Sequence, residues 1–400
     1  MKQPKICAII CEYNPLHNGH ALQLEKAKEL SGCDFVLCIM SGNFVQRGEP
    51  AVLSKHKRAY IALHAGADAV VHLPTAFSCC SAEVFALAAC IIANSFKNVT
   101  HLCFGSECGE IWPLLDAAEF FRDEPKAYTQ KLKAFLLDGL SYNSARLKAL
   151  EALGNDEMTK ILSTPNNILG VEYIKALKLL KSPITPVTMR RQTQTIGENK
   201  ITTFASSTAI RSELFRANSP KNLTPAMPKP IFRLFKQELD KQGILDIKLF
   251  DQLKLGHLRL TELVKLEQVF DVNEGLENRI ASLARTSPDY QSFLQSTVTK
   301  RYTERKINRI VVGSMVGITK DIIKELYKTL KIPYIKLLAA KKMVLTHLEC
   351  TVPFLTRSSE TKDLNCSISQ IEERADALYT QLSNLKTVNV PYLMQQPVLL

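Results

Sequence analysis

Short apolar runs alternate with segments of helical spacing through roughly the first two hundred residues, and few folds accept a chain written that way. KICAIIC (5–11), DFVLCIM (34–40), AVVHL (69–73), HLCF (101–104) and ITPVTM (184–189) read as strands. Residues 20–30, 55–65 and 82–94 carry apolar side chains at helical spacing. Continuous apolar strands separated by helices predict a parallel sheet covered on both faces. With right-handed crossovers this is a Rossmann-like, doubly wound α/β domain. Helical stretches at 111–122, 126–138 and 144–153 form an insertion between the fourth and fifth strands.

The α/β pattern ends near Leu214. Asn218-Ser219-Pro220 and then Pro225, Pro228 and Pro230 punctuate the next stretch of chain. Beyond them 232–242, 258–269, 278–285 and 289–299 read as helices. Two domains are therefore expected: 1–215, and a mainly α-helical 216–400. The apolar tail after Pro391 is irregular and receives no element.

The chain has 400 residues, of which 46% are hydrophobic, enough for full cores without covalent staples. Its 51 Lys plus Arg outnumber 39 Asp plus Glu, a net charge of +12. Such an excess favours a polyanionic partner, nucleic acid or an anionic membrane; a merely basic soluble protein is the plain alternative. No apolar stretch has the length of a membrane span. The run 6–10 is cut short by Glu12, unlike a signal peptide. A cytoplasmic protein is expected. The eleven cysteines include no CxxC pair and fall mostly in apolar runs, so they read as buried reduced thiols with no metal site.

The first strand opens into Glu12-Tyr13-Asn14-Pro15-Leu16-His17-Asn18-Gly19-His20, where a helix begins. Parallel sheets place ligands at the carboxyl ends of their strands. A helix N-terminus there offers free N–H groups and a positive dipole end to phosphate. Gly19 permits close backbone approach, and His17 and His20 bring two imidazoles to one place. Donors so placed stabilise charge developing in phosphoryl displacement. An incidental strand–turn–helix corner is the alternative. A second element, Ser206-Ser207-Thr208-Ala209-Ile210-Arg211, puts hydroxyls and an arginine at another helix start; alone it reads as an ordinary N-cap.

The HxGH turn and the Ser-Ser-Thr-x-Ile-Arg element resemble those of the class I aminoacyl-tRNA synthetase and nucleotidyltransferase superfamily. EYNPLHNGH (12–20), MSGNFVQRGEPAVLSKHKRA (40–59), GADAVVHLP (66–74), FGSECG (104–109), PNNILGVEYIKAL (165–177) and SSTAIR (206–211) resemble the bacterial tRNA(Met) cytidine acetate ligase family. So do VNEGLENRI (272–280), KRYTERKINRI (300–310) and PYIKLL (333–338), so the likeness runs through most of the chain.

The resemblance implies an enzyme that makes acetyl-adenylate from acetate and ATP. It then passes the acetyl group to N4 of the wobble cytidine of elongator tRNA(Met). His17, His20 and Arg211 would act on the phosphates. The nucleotide would be wrapped by Ile10, Cys11 and residues 12–20, with Ala21, Leu22 and Gln23. Gly105, Asn166, Arg191, Ser206, Ser207 and Thr208 would complete its site, with Asn167 and Arg190 as adjacent alternatives. The family's segment after the arginine differs from Gln192 and 193–200 here. Mg2+ is expected to accompany ATP. Arg47 and Lys55 are candidate neighbours of acetate or phosphate, or else solvated cations.

On a helix Arg301, Arg305 and Arg309 would share a face able to meet phosphates, with Tyr302 free to stack on an unpaired base. Lys324, Lys328, Lys331, Lys336, Lys341 and Lys342 add cations in the second half. A solvated helix face is the plain alternative. Two rival functions share these motifs: a small-molecule adenylyltransferase of the same superfamily, and a nucleic-acid-binding module with a vestigial ATP site. The long helical half argues against the first, and the complete HxGH turn with Arg211 against the second.

Overall fold

The computed structural model describes residues 3–192, 201–357, 360, 364, 366–383 and 395–400. Strands β1 (Ile6–Cys11), β2 (Phe35–Ser41), β3 (Phe44–Val45), β4 (Glu49–Pro50), β5 (Ala69–Leu73), β6 (Val99–Ser106), β7 (Thr185–Arg190), β8 (Ile335–Ala340), β9 (Phe354–Leu355) and β10 (Val398–Leu399) occur in that order. The main sheet runs β10-β8-β5-β2-β1-β6-β7, with β9 beside β8; β3 and β4 form a separate antiparallel hairpin.

Every residue of β1 is buried. Ile6, Ala8 and Ile10 enter one core and Cys7, Ile9 and Cys11 the other, so the strand is covered on both faces. β1, β2, β5, β6 and β7 are mutually parallel. After β1 the chain builds outward through β2 and β5. It then returns to place β6 on the other side of β1. The topological switch point thus lies between β1 and β6, where a ligand crevice is expected at the carboxyl ends.

Helices α1 (Asn18–Ser31), α2 (Lys55–His64), α3 (Thr75–Ser78) and α4 (Ala82–Asn94) connect the early strands. α1 ends at Gly32, whose left-handed φ of 61° suits a C-cap glycine. α4 is apolar on nearly every side and buried from Val84 to Ala93, with Ser81 capping its start. The insertion between β6 and β7 contains α5 (Trp112–Phe120), α6 (Lys126–Leu137), α7 (Tyr142–Glu151), α8 (Asp156–Leu162) and α9 (Pro165–Leu179). α9 completes the crossover into β7.

After α10 (Ser207–Ala217) come α11 (Lys229–Gln242), α12 (Ile247–Leu260), α13 (Leu263–Gln268), α14 (Leu276–Thr286), α15 (Tyr290–Thr297), α16 (Glu304–Val316), α17 (Lys320–Thr329), α18 (Lys342–Leu345) and α19 (Ser367–Leu382). The helix read at 258–269 is two helices, broken at Thr261. α12 to α16 share a core of their own. The remainder beyond 216 returns to the sheet: α11 packs into the β1 core, and β8 joins β5 antiparallel. β10 adds parallel to β8, giving the apolar tail an element. Among the described residues, no helix is long and apolar enough to cross a membrane.

Candidate active site

The carboxyl ends of β1, β2, β6 and β7 deliver their following loops to one crevice. Arg58 pins two of them. Wholly buried on α2, it donates to the carbonyls of Glu12 and Gly42, to Ser41 O at 3.1 Å and to Leu53 O at 2.9 Å. Burial lowers its pKa to about 10, which still leaves it charged at neutral pH. Asn14 Oδ1 accepts the Val52 N–H at 2.8 Å, and the Asn14–Pro15 peptide is cis.

His17 caps α1: its Nδ1 accepts the Gly19 N–H at 3.1 Å. That bond assigns the proton of the neutral ring to Nε2, making it a donor. His17 and His20 stack with centroids 3.8 Å apart, and the Tyr13 ring meets His20 edge-on at 5.1 Å. A Cβ on Gly19 would lie 3.0 Å from His17 Cε1. The glycine therefore makes room for the imidazole itself. Burial, then Arg191, lowers the His17 pKa to about 3. Burial, then His17 and Arg191, holds His20 well below the ordinary imidazole value.

Arg191 reaches this pair across Gly105. A Cβ on Gly105 would stand 2.8 Å from Arg191 Cγ. Arg190 points elsewhere, to the Cys108 carbonyl at 2.8 Å. At the start of α9, Glu107 accepts from Asn166 Nδ2 at 2.6 Å and Asn167 N at 2.8 Å. Asn167 Oδ1 takes the Glu107 N–H in return at 2.9 Å. Both asparagines thus shape the loop after β6.

α10 supplies the third wall. Ser206 is its N-cap, accepting from Ala209 N at 3.2 Å, so the capping role is real for this hydroxyl. Ser207 begins the helix, and Thr208 Oγ1 accepts from Arg47 at 3.0 Å. Arg211 donates to Asn14 O at 2.9 Å and pairs with Glu49 at 3.1 Å, tying α10 to the turn and the hairpin. Glu12 accepts the Gln46 N–H at 2.7 Å, and burial raises its pKa.

Not every expected residue faces the histidines. Asn18 donates to Thr203 O and Pro225 O, and Gln23 to Cys103 O. Ala21 and Leu22 line a groove of about 720 Å³ on the flank of α1, with Lys28, Phe204 and Lys341. Lys55 is not a solvated cation: it is fully buried and ion-paired with Asp376 on α19. Residues 193–200 lie outside the described ones. Arg58 was not singled out from the sequence; a cation on the buried stripe of α2 was the available signal for it.

Four buried polar atoms converge here without a hydrogen-bond partner among the described residues: Asn14 Nδ2, His17 Nε2, His20 Nδ1 and Arg191 Nε. Native proteins rarely leave such groups unmatched unless a ligand or water meets them.

Residues 4–391 match the model of the HIGH Nucleotidyl Transferase family. The tRNA(Met) cytidine acetate ligase of Acetivibrio thermocellus is 40% identical over 80% of this chain and 79% of its own length. That of Clostridium acetobutylicum is 40% identical over 78% and 79%. The chain belongs to the tRNA(Met) cytidine acetate ligase family. A crystal structure of Thermotoga maritima TmcAL bound with alpha-thio ATP superposes with a TM-score of 0.88 at 30% identity, over 99% of both chains. Its apo form gives 0.90. His17-Asn18-Gly19-His20 stands at the switch point of the sheet, directly after β1.

The basic segment differs from its sequence reading. α16 starts at Glu304 behind its N-cap Thr303, so Arg301 lies off the helix and pairs with Glu274. Lys306 and Arg309 both meet Asp271, at 3.4 and 3.5 Å. Lys336 is buried in β8, where burial and then Lys55 lower its pKa to about 7. Lys324, Lys328 and Lys331 stay exposed on or beside α17.

Proposed function

We propose that this chain is an ATP-dependent ligase that activates acetate as acetyl-adenylate and acetylates N4 of the wobble cytidine of elongator tRNA(Met). The observation that carries the reading is the group of unmatched buried atoms around His17, His20 and Arg191, aligned with the helix start at Gly19. Neutral imidazoles donate to phosphate oxygens without bringing full charges into the crevice. Arg191 supplies the positive charge, and the N-terminus of α1 its dipole.

Chemistry follows from position. An acetate oxygen attacks the α-phosphorus in line with departing pyrophosphate, so donors on the phosphates lower the barrier by holding that alignment. The mixed anhydride makes the acetyl carbon electrophilic. The cytidine N4 attacks it, AMP leaves, and N4 loses a proton. No covalent enzyme intermediate is needed. Magnesium would arrive on the triphosphate: among the described residues no group of three His, Cys, Asp or Glu is placed to hold a metal. The exposed lysines at 324, 328 and 331 suit the RNA backbone, and an anticodon loop offers splayed bases to read.

The test is mass spectrometry of nucleosides after incubating the protein with ATP, acetate and unmodified elongator tRNA(Met). N4-acetylcytidine should appear only with all three present. Its absence, with ATP uncleaved across small carboxylates, would overturn the reading and favour the small-molecule adenylyltransferase.

A further inference from the structure

The β3–β4 hairpin rests directly on α16. Gly48 has a φ of +72°, and a Cβ there would lie 2.5 Å from the Asn308 carbonyl carbon and 2.6 Å from Arg309 N. No side chain fits between the two backbones, so the glycine sets how closely hairpin and helix approach. Arg47 immediately precedes it, and its guanidinium reaches Thr208 over the first turn of α10. Arg305 lies one turn before Arg309 on the same face of α16. Burial, and then the charge of Arg47, lowers the Arg305 pKa, as expected for guanidiniums sharing one region.

The surrounding charges are otherwise matched. Arg211 has Glu49 at 3.1 Å and Arg309 has Asp271 at 3.5 Å. Arg47 has the Thr208 hydroxyl. Arg305 feels the carboxylates of Glu49 and Glu304 only at longer range, and among the described residues neither guanidinium forms a direct ion pair. Two guanidiniums that face one region beside a helix start, neither in a direct ion pair, leave a place for an anion to bridge them.

We infer that Arg47 and Arg305 together bind the terminal phosphates of ATP, so that α16 of the C-terminal region completes the nucleotide site. This rests on the ATP reading of the HxGH turn. It adds a residue more than ninety positions beyond the last ATP-site residue expected from the sequence. The β- and γ-phosphates would lie between Thr208 and the two guanidiniums and leave as pyrophosphate through the same contacts. A backbone phosphate of tRNA is the competing occupant.

Calorimetric titration with ATP and with AMP separates the cases in the full-length protein. In Arg305→Gln and in Arg47→Gln the ATP dissociation constant should rise about tenfold or more, because a charge-assisted contact is lost. AMP affinity should stay within about twofold. Arg305→Lys should recover part of the ATP affinity. The inference is overturned if Arg305→Gln leaves ATP binding unchanged, if AMP weakens equally, or if only tRNA affinity falls. Failure of the wild type to make acetylcytidine would sink the proposed reaction instead, and leaves the ATP-against-AMP comparison intact.

Discussion

Two buried polar regions lie at the carboxyl edge of the same sheet, and they are built on opposite principles. Around His17 and His20, buried nitrogens have no partner among the described residues. Beneath α19, buried charges meet partners from distant parts of the chain. Asp376 holds Lys55 and accepts from Asn43 Nδ2 at 2.8 Å; Glu372 accepts from the Thr75 backbone and hydroxyl. Burial keeps His72 neutral, so its 3.4 Å approach to Glu372 is a polar contact between ring and carboxyl rather than an ion pair. The matched cluster fastens the C-terminal helix to the sheet. The unmatched one keeps its hydrogen-bonding capacity for a ligand. Burial of polar groups alone therefore does not mark the site; several unmatched nitrogens gathered around one helix start do.

Breaking each region should produce a different loss. Asp376→Ala removes the carboxylate that pairs with the buried Lys55 ammonium, so stability should fall by about 3–5 kcal/mol in denaturant unfolding. If instead stability held and ATP affinity collapsed, the cluster would belong to the nucleotide site and the contrast would fail. His20→Ala should do the reverse. Acetate-dependent pyrophosphate exchange should drop about 10²–10³-fold, as when a transition-state donor is removed. Only about 1 kcal/mol of ring contact should be lost from stability. Binding of tRNA should persist in His20→Ala. A variant unfolded at assay temperature would show that the imidazole is structural.

The sequence made one region legible and hid the other, for a physical reason. β1, β5, α4 and the HxGH turn are local: periodicity and helix-start chemistry lie within a dozen residues. The expected strand 69–73 and helix 82–94 match β5 and α4 residue for residue. Lys55 could be read only as a candidate neighbour of acetate or phosphate or as a solvated cation, because its ion-pair partner Asp376 stands 321 positions later. β8 was likewise hidden. Five apolar residues and Lys336 show no side-chain period that distinguishes strand from helix, and nothing local says they will pair antiparallel with β5. Arg301 was misplaced for a smaller reason: Thr303 caps α16, and a capping threonine two residues on removes an arginine from the helical face.

The pH dependence of stability offers the finest separation, because His17 and Glu372 carry opposite signs. Burial holds His17 at about 3, below its ordinary 6.5. The unfolded chain then binds more protons than the folded one, and this contribution to stability is lost as pH falls from about 6.5 towards 3. Burial raises Glu372 from 4.5 to about 7. Here the folded state binds the extra proton, so stability present below 4.5 is lost as pH rises through about 7. Thermal melting across pH 4 to 7 should show His17→Gln weakening the decline on the acid side and Glu372→Gln weakening the decline towards neutrality. Saturating ATP should also flatten the acid-side decline in the wild type, since bound phosphate favours the protonated imidazole, and should leave the Glu372 contribution unchanged. A nucleotide effect on both slopes would mean that the two regions respond as one.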